Sequence, residues 1–324
     1  MELFFQGLPP WLNFVLFLFG VFVVTMGAGW FTDGAVEIAD HTGIPKLVIG
    51  ATVVSVATTF PEFLVSSLAA VFEHPGTSVG NAVGSTICNI GLIIAVATLI
   101  RPMKLDRKNL WAQGAMMWAA GALLIFLVRD GVLYRAEGAL LLAGMALYMF
   151  FSWYLGRSEN RDISGSANAG TFSWGRAALH FSVGAAAVLS GSFLVVQTAV
   201  PLARALGVSD LVIGLSLVAV GTSLPELVTA VVSSLRGHGA LSAGNVLGAN
   251  ALNILFVLGG ASSISPLAIE QQTYRLDFPV MVFFMVLVVW IGGSRGRLGR
   301  GVAAVFLTVY AVYLVGVFSL FSAG

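Results

Sequence analysis

Only one cysteine, Cys88, occurs in the 324 residues, so an internal disulfide is excluded. The four histidines, His41, His74, His180 and His238, are too scattered to build a zinc cluster, which sets zinc chemistry aside as well. Charge is scarce too: 10% of the residues are charged, the net charge is +1, and no long basic run points to a nucleic-acid partner. What fills the chain instead is apolar. Hydrophobic residues make up 58% of it, against about 45–50% in a soluble domain, and the mean hydropathy is +0.94. Such a composition belongs in a lipid bilayer.

A helix needs about 20 apolar residues to cross roughly 30 Å of hydrocarbon. Ten such runs are expected, near 11–31, 47–72, 78–100, 110–128, 132–155, 176–203, 209–235, 241–263, 277–293 and 300–321. The first lacks a basic flank and a cleavage site, so it reads as a retained helix and not as a signal peptide. Sorting the basic residues by loop gives a lopsided result. Lys46, Arg101, Lys104, Arg107, Lys108, Arg157, Arg161, Arg176, Arg236, Arg295, Arg297 and Arg300 fall on one side, leaving Arg129, Arg135, Arg204 and Arg275 on the other. The positive-inside rule then places both termini outside the cytoplasm, in a plasma membrane that in a bacterium is the inner one.

Sliding the chain by 164 residues lays VIGATVVSVATTFPEF (48–63) on VIGLSLVAVGTSLPEL (212–227). The same offset lays GNAVGSTICNI (80–90) on GNVLGANALNI (244–254). The fold class expected is an all-α membrane protein of about ten transmembrane helices in two five-helix repeats. These are residues 1–155, carrying a motif at 50–90, and 176–324, carrying its copy at 214–254, joined by a polar cytoplasmic linker at 156–175. Five spans per repeat is an odd number, so the second copy enters from the opposite side. Inverted repeats with Gly/Pro-broken helices at mid-membrane are a transporter architecture, with the site where the halves meet.

Glu62 and Glu226 fall inside long apolar runs, where a charge costs roughly 2.5–3.5 kcal/mol on insertion scales. Each follows a proline. Pro61 and Pro225 have no N–H to offer, so the carbonyls of Ala57 and Gly221 are freed and each helix should break. Thr58, Thr59, Thr222 and Ser223 crowd the two breaks, and exposed backbone in a membrane is tolerated where it lines a cavity. Two carboxylates with carbonyl and amide oxygens suit Ca2+, which takes about 6–8 oxygen ligands, and two ionised Glu would balance its charge. Ser85 and Asn89 share a helical face, as do Ala249 and Asn253. Gly80, Gly84, Gly244 and Gly248 have the spacing of close helix packing. Asp33, Glu37 and Asp40 share a face that reads as a solvated helix end, with a cation funnel as the alternative. Cys88 reads as a small packing residue.

At these motifs the chain resembles the sodium/calcium exchanger family, in particular its bacterial and archaeal ten-helix members. The motifs here read ATTFPE…GNAVGSTICN and GTSLPE…GNVLGANALN. The resemblance implies Na+ for Ca2+ antiport, normally extruding Ca2+, with a gate pair of helices sliding past a four-helix core. It implies Ca2+ ligands at Glu62, Glu226 and the carbonyls of Thr58 and Thr222. For Na+ it implies the carbonyls of Ser55 and Ala219 and the hydroxyls of Thr59, Ser223 and Ser85, with Asn89 and Asn253 flanking the centre. Ala249 departs from the family's usual Ser, which removes one hydroxyl from a Na+ subsite. Asn253 stands where some members have Asp. No cofactor, obligatory protein partner or enzymatic activity is expected beyond the transported ions and the bilayer. H+/Ca2+ exchange is the alternative, since desolvated carboxyl groups can carry protons near neutrality. An intramembrane hydrolase using the two Glu as acid and base, or a passive channel, would differ in turning over substrate without ion flux, or in conducting without a counter-ion.

Overall fold

Proline and glycine set most of the helix ends. In the computed structural model, which describes residues 7–158, 173–205 and 219–321, helix α1 (Pro10–Thr42) starts on a proline. It stops at Gly43, whose φ of 68° only glycine adopts readily. It thus runs beyond the expected 11–31, because no breaker occurs before Gly43 and the acidic face at its end is neutralised. Asp33 pairs with Arg236, Glu37 lies 3.8 Å from both Arg176 and His180, and Asp40 lies 3.1 Å from Lys46. That face is therefore a set of ion pairs between elements.

Helix α2 (Lys46–Thr58) continues into α3 (Phe60–Val71) through a 45° bend at Thr59, the break expected before Pro61. Then come α4 (Pro75–Ile100), α5 (Arg107–Leu127), α6 (Arg135–Ser158) and α7 (Trp174–Ala205). The second half shows the short α8 (Ala219–Thr222), α9 (Leu224–Leu235), α10 (Gly239–Ile264), α11 (Thr273–Arg295) and α12 (Arg300–Phe321). Among the described residues eight helices are long and apolar enough to cross a membrane, or nine with α2 and α3 taken as one bent span. The remaining expected span, 209–235, begins outside the described residues, as does most of the 156–175 linker. The chain is an integral membrane protein.

Inversion of the halves is visible in two small ladders. Strand β1 (Met103–Lys104) pairs antiparallel with β4 (Arg297–Leu298), and β2 (Val132–Leu133) pairs with β3 (Leu267–Ala268). The repeat offset carries β1 onto β3. Yet β1 leads into the start of α5, whereas β2, the partner of β3, follows its end. Equivalent strands therefore lie at opposite ends of a membrane-spanning helix, and each half contributes one strand to each ladder.

Helix α10 lies at the centre: 94% of its most apolar stretch is buried, against 11% for α12. It approaches α2 through glycine. A Cβ on Gly244 would stand 2.0 Å from Leu47 O, and one on Gly248 would stand 2.3 Å from Ala51 O. These two glycines play the packing role expected of them. Gly80 and Gly84 meet nothing within 4 Å among the described residues; positions 211–215, the repeat counterparts of 47–51, lie outside those residues. Helices α1 and α7 pack along each other in the same backbone-close way, a Cβ on Gly184 falling 2.3 Å from Phe31 N.

Candidate functional site

Both kinked motifs meet α4 and α10 at the centre of the bundle. At the first kink Thr59 N–H bonds back to Ser55 O at 2.9 Å, and Phe63 N–H to Thr59 O at 3.1 Å. Between them, Pro61 has no N–H to give the carbonyl of Ala57 four residues back. Glu62 stands in the first turn of α3, its carboxyl near its own N–H. The second break repeats the pattern: Leu227 N–H reaches Ser223 O at 3.0 Å, and Glu226 stands in the first turn of α9, its carboxyl near its own N–H. Each acidic side chain thus stands in the first turn after the break, beside the orphan N–H donors of a helix N-terminus.

The two carboxyls are 1% exposed and close enough for their charges to interact. Across the halves, the Ser223 hydroxyl lies 3.1 Å from Glu62 Oε1 and 3.1 Å from Ser85 Oγ. The counterpart of Ser223 is Thr59, which with Thr58 faces Glu226. The counterpart of Ser85 is Ala249, so this mirror arrangement lacks its third hydroxyl, and Thr59 Oγ1 makes no hydrogen bond of standard geometry.

Two further bonds tie the halves in a symmetric fashion. Thr58 Oγ1 donates to Asn245 Oδ1 at 3.2 Å, and Thr222 Oγ1 to Asn81 Oδ1 at 3.3 Å. The Asn81 amide also donates to Glu62 O at 3.1 Å and Ser66 Oγ at 2.9 Å. Sequence reasoning assigned no role to Asn81 or Asn245. Their signal was available: the same amide recurs at one repeat offset in two apolar helices. Asn250, which accepts from Asn89 Nδ2 at 2.9 Å, had no such signal, because its counterpart is Thr86.

Ser55, Thr58, Thr59, Glu62, Ser85, Asn89, Ser223, Glu226 and Asn253 are all buried, and Thr222 is half-buried. Ala219 opens α8, and its side chain lies outside the described set. Ser55 O accepts the Thr59 N–H at 2.9 Å and the Thr58 hydroxyl at 3.4 Å. Both asparagines begin π-helical turns, Asn89–Ile94 and Asn253–Leu258, a local widening common where side chains converge on function. Among the candidate site residues, five buried oxygens are without hydrogen-bond partners, Thr59 Oγ1, Glu62 Oε2, Asn89 Oδ1, Glu226 Oε2 and Asn253 Oδ1, and others lie elsewhere among the described residues. Leaving a buried polar atom unsatisfied costs about 1–3 kcal/mol, more for a charged one. No group of three or more His, Cys, Asp or Glu suited to a metal occurs among the described residues. The arrangement is therefore oxygen-rich with two carboxyls, the chemistry of a hard cation.

The sodium/calcium exchanger protein family matches this chain over residues 12–154 and again over 176–319. The chain belongs to the sodium/calcium exchanger family. Sodium/calcium exchanger MaX1 of Methanosarcina acetivorans is 29% identical over 345 residues, covering 94% of this chain and 98% of the relative. An uncharacterised membrane protein of Methanocaldococcus jannaschii is 33% identical over 299 residues, covering 91% and 95%. The solved structure of the sodium-calcium exchanger NCX_Mj soaked with Na+ and Ca2+ superposes with a TM-score of 0.80 at 32% identity, over 95% of this chain and 98% of that one. In this exchanger's own fold, the paired carboxyls occupy the meeting point of the two inverted halves.

Proposed function

We propose that the chain exchanges Na+ for Ca2+ across the membrane by alternating access, normally moving Ca2+ outward. The supporting observation is the pair of buried carboxyls, Glu62 and Glu226, facing hydroxyls of the opposite half and flanked by unpartnered oxygens. Ca2+ would sit between the two carboxylates, with the carbonyls of Thr58 and Thr222 beside it and Asn89 and Asn253 flanking. The carbonyls of Ser55 and Ala219 and the hydroxyls of Thr59, Ser223 and Ser85 would serve Na+. Two ionised Glu match one divalent cation or two monovalent ones, so either cargo neutralises the same centre and neither can share it fully with the other. That competition couples the two fluxes.

The two repeats are taken as 1–155 and 176–324 about a linker at 156–175, with both termini outside. Helices α1 and α7 pack tightly on each other and reach the core through few polar ties, such as Thr32 Oγ1 to Ser233 Oγ at 3.0 Å. They suit the role of a unit that moves as a pair. The test is radiocalcium uptake into proteoliposomes under separately imposed Na+, K+ and pH gradients. Uptake driven by outward-directed Na+ is expected; uptake driven by a pH gradient and indifferent to Na+ overturns the reading in favour of H+ coupling.

A further inference from the structure

At the end of the bundle carrying the β1–β4 ladder, a crevice of about 570 Å³ opens between α11 and α12. Its walls are Leu287 and Ile291 from one helix and Val302 and Val305 from the other, and Arg295 and Arg297 line it as well. Val305 is 51% exposed, so the crevice opens on the lipid-facing surface. Trp290 lies on α11 just before Arg295, exposed and edge-on to Trp111 at 6.1 Å, which marks the headgroup level of the bilayer here.

The charge at this site is one-sided. The stretch 295–301 reads RGRLGRG, whereas its repeat counterpart 131–137 reads GVLYRAE, so the fold's symmetry does not impose the arginines. Lys104 adds to them across the ladder from Arg297. Arg300 is committed to Leu99 O at 2.9 Å, but the guanidinium groups of Arg295 and Arg297 make no ion pair or hydrogen bond among the described residues. The positive-inside bias accounts for the sign of these charges. It does not account for an apolar crevice beneath them.

We propose that this crevice is a binding site for an anionic phospholipid of the bilayer: an acyl chain lies between α11 and α12, and the phosphate is held by Arg295 and Arg297. A basic pocket between transmembrane helices matches such a headgroup in charge, and each basic side chain contributes about 1 kcal/mol to attraction at an anionic surface. Gly299 and Gly301 meet nothing within 4 Å among the described residues, so the crevice can be filled from Gly301 without displacing backbone.

The test is native mass spectrometry of the delipidated full chain titrated with phosphatidylglycerol, with phosphatidylethanolamine, or with inorganic phosphate. Wild type is expected to retain phosphatidylglycerol in preference, with no adduct from phosphate alone. The R295Q/R297Q variant is expected to lose that preference by about thirtyfold, corresponding to two basic contacts. Gly301→Leu, which keeps both arginines and favours helix, is expected to retain one lipid fewer. Equal retention of the two lipids by wild type, an unchanged preference in R295Q/R297Q, full retention in Gly301→Leu, or the same mass adduct from inorganic phosphate would each overturn the assignment. The readout is binding and not transport, so it is independent of which ions are exchanged.

Discussion

Gly248→Ala adds one methyl group where α10 crosses α2, and its consequences can be worked through from the contacts. The new Cβ would lie 2.3 Å from Ala51 O and 2.5 Å from both Ala51 Cα and Ser55 Oγ. Ordinary contact needs about 3.5 Å, so the two helices must part by roughly 1 Å. That separation would stretch the Thr58–Asn245 hydrogen bond, now 3.2 Å, beyond bonding distance. Overpacking of this kind costs about 1–3 kcal/mol, and the lost bond about 1 kcal/mol more. Alanine's better helix propensity works in the opposite direction by at most about 1 kcal/mol. The net expectation is destabilisation by about 1–3 kcal/mol, together with weakened Ca2+ uptake because Ser55 and Thr58 shift. Thermal unfolding followed by tryptophan fluorescence checks the first effect and proteoliposome uptake the second. Gly301→Ala, with open space around it, serves as the control and should be neutral or stabilising. A Gly248→Ala protein as stable and as active as wild type would refute the packing argument.

Other perturbations test other contacts. Ala249→Ser gives the unpartnered Thr59 hydroxyl a neighbour and restores symmetry with Ser85, so the Na+ concentration for half-maximal exchange should fall about fivefold, one hydrogen-bond equivalent; superimposable Na+ curves would count against it. Arg236→Gln removes the ion pair to Asp33 and the 3.1 Å bond to Gly29 O. Because the pair is more than a third exposed, the loss in stability should stay below about 1 kcal/mol and shrink further in high salt. His238, at the start of α10, is held below its ordinary 6.5 by burial and by Lys46, with Asp40 and Asp33 opposing. The unfolded chain therefore binds this proton better, so stability is intact above 6.5 and declines as pH falls below it toward the native value. A Tm series from pH 8 to 5 should show wild type losing more than His238→Gln, and parallel series would contradict the assignment.

The parts legible in the sequence are those where one residue type dictates geometry. A proline inside an apolar run has to break a helix, and the bend at Thr59 and the helix break at Ser223 are where the prolines put them. A repeated motif across an odd number of spans has to invert, and the β1–β4 and β2–β3 ladders at opposite ends of α5 are its physical trace. What escaped depends on partners distant in the chain. The acidic face of α1 is a partly exposed helix end, as expected, but its pairing with Arg236 and Arg176 was not visible because only the fold brings them there. The bond from Thr58 to Asn245 spans 187 residues, and no local pattern announces it. Ala249 was visible as a missing hydroxyl; the structure adds that Thr59 Oγ1, on the counterpart of Ser223, is buried without a partner.

The most direct measurement is radiocalcium exchange by reconstituted Glu62→Gln, Glu226→Gln and the double variant beside wild type. An amide keeps the shape of each side chain and removes its charge, so a stripped divalent ion loses the neutralisation it needs. Near-complete loss of exchange is predicted for each single variant and for the pair, with the folded protein recovered in normal amount. Wild-type rates of Ca2+ exchange in the double variant would contradict the account at its root.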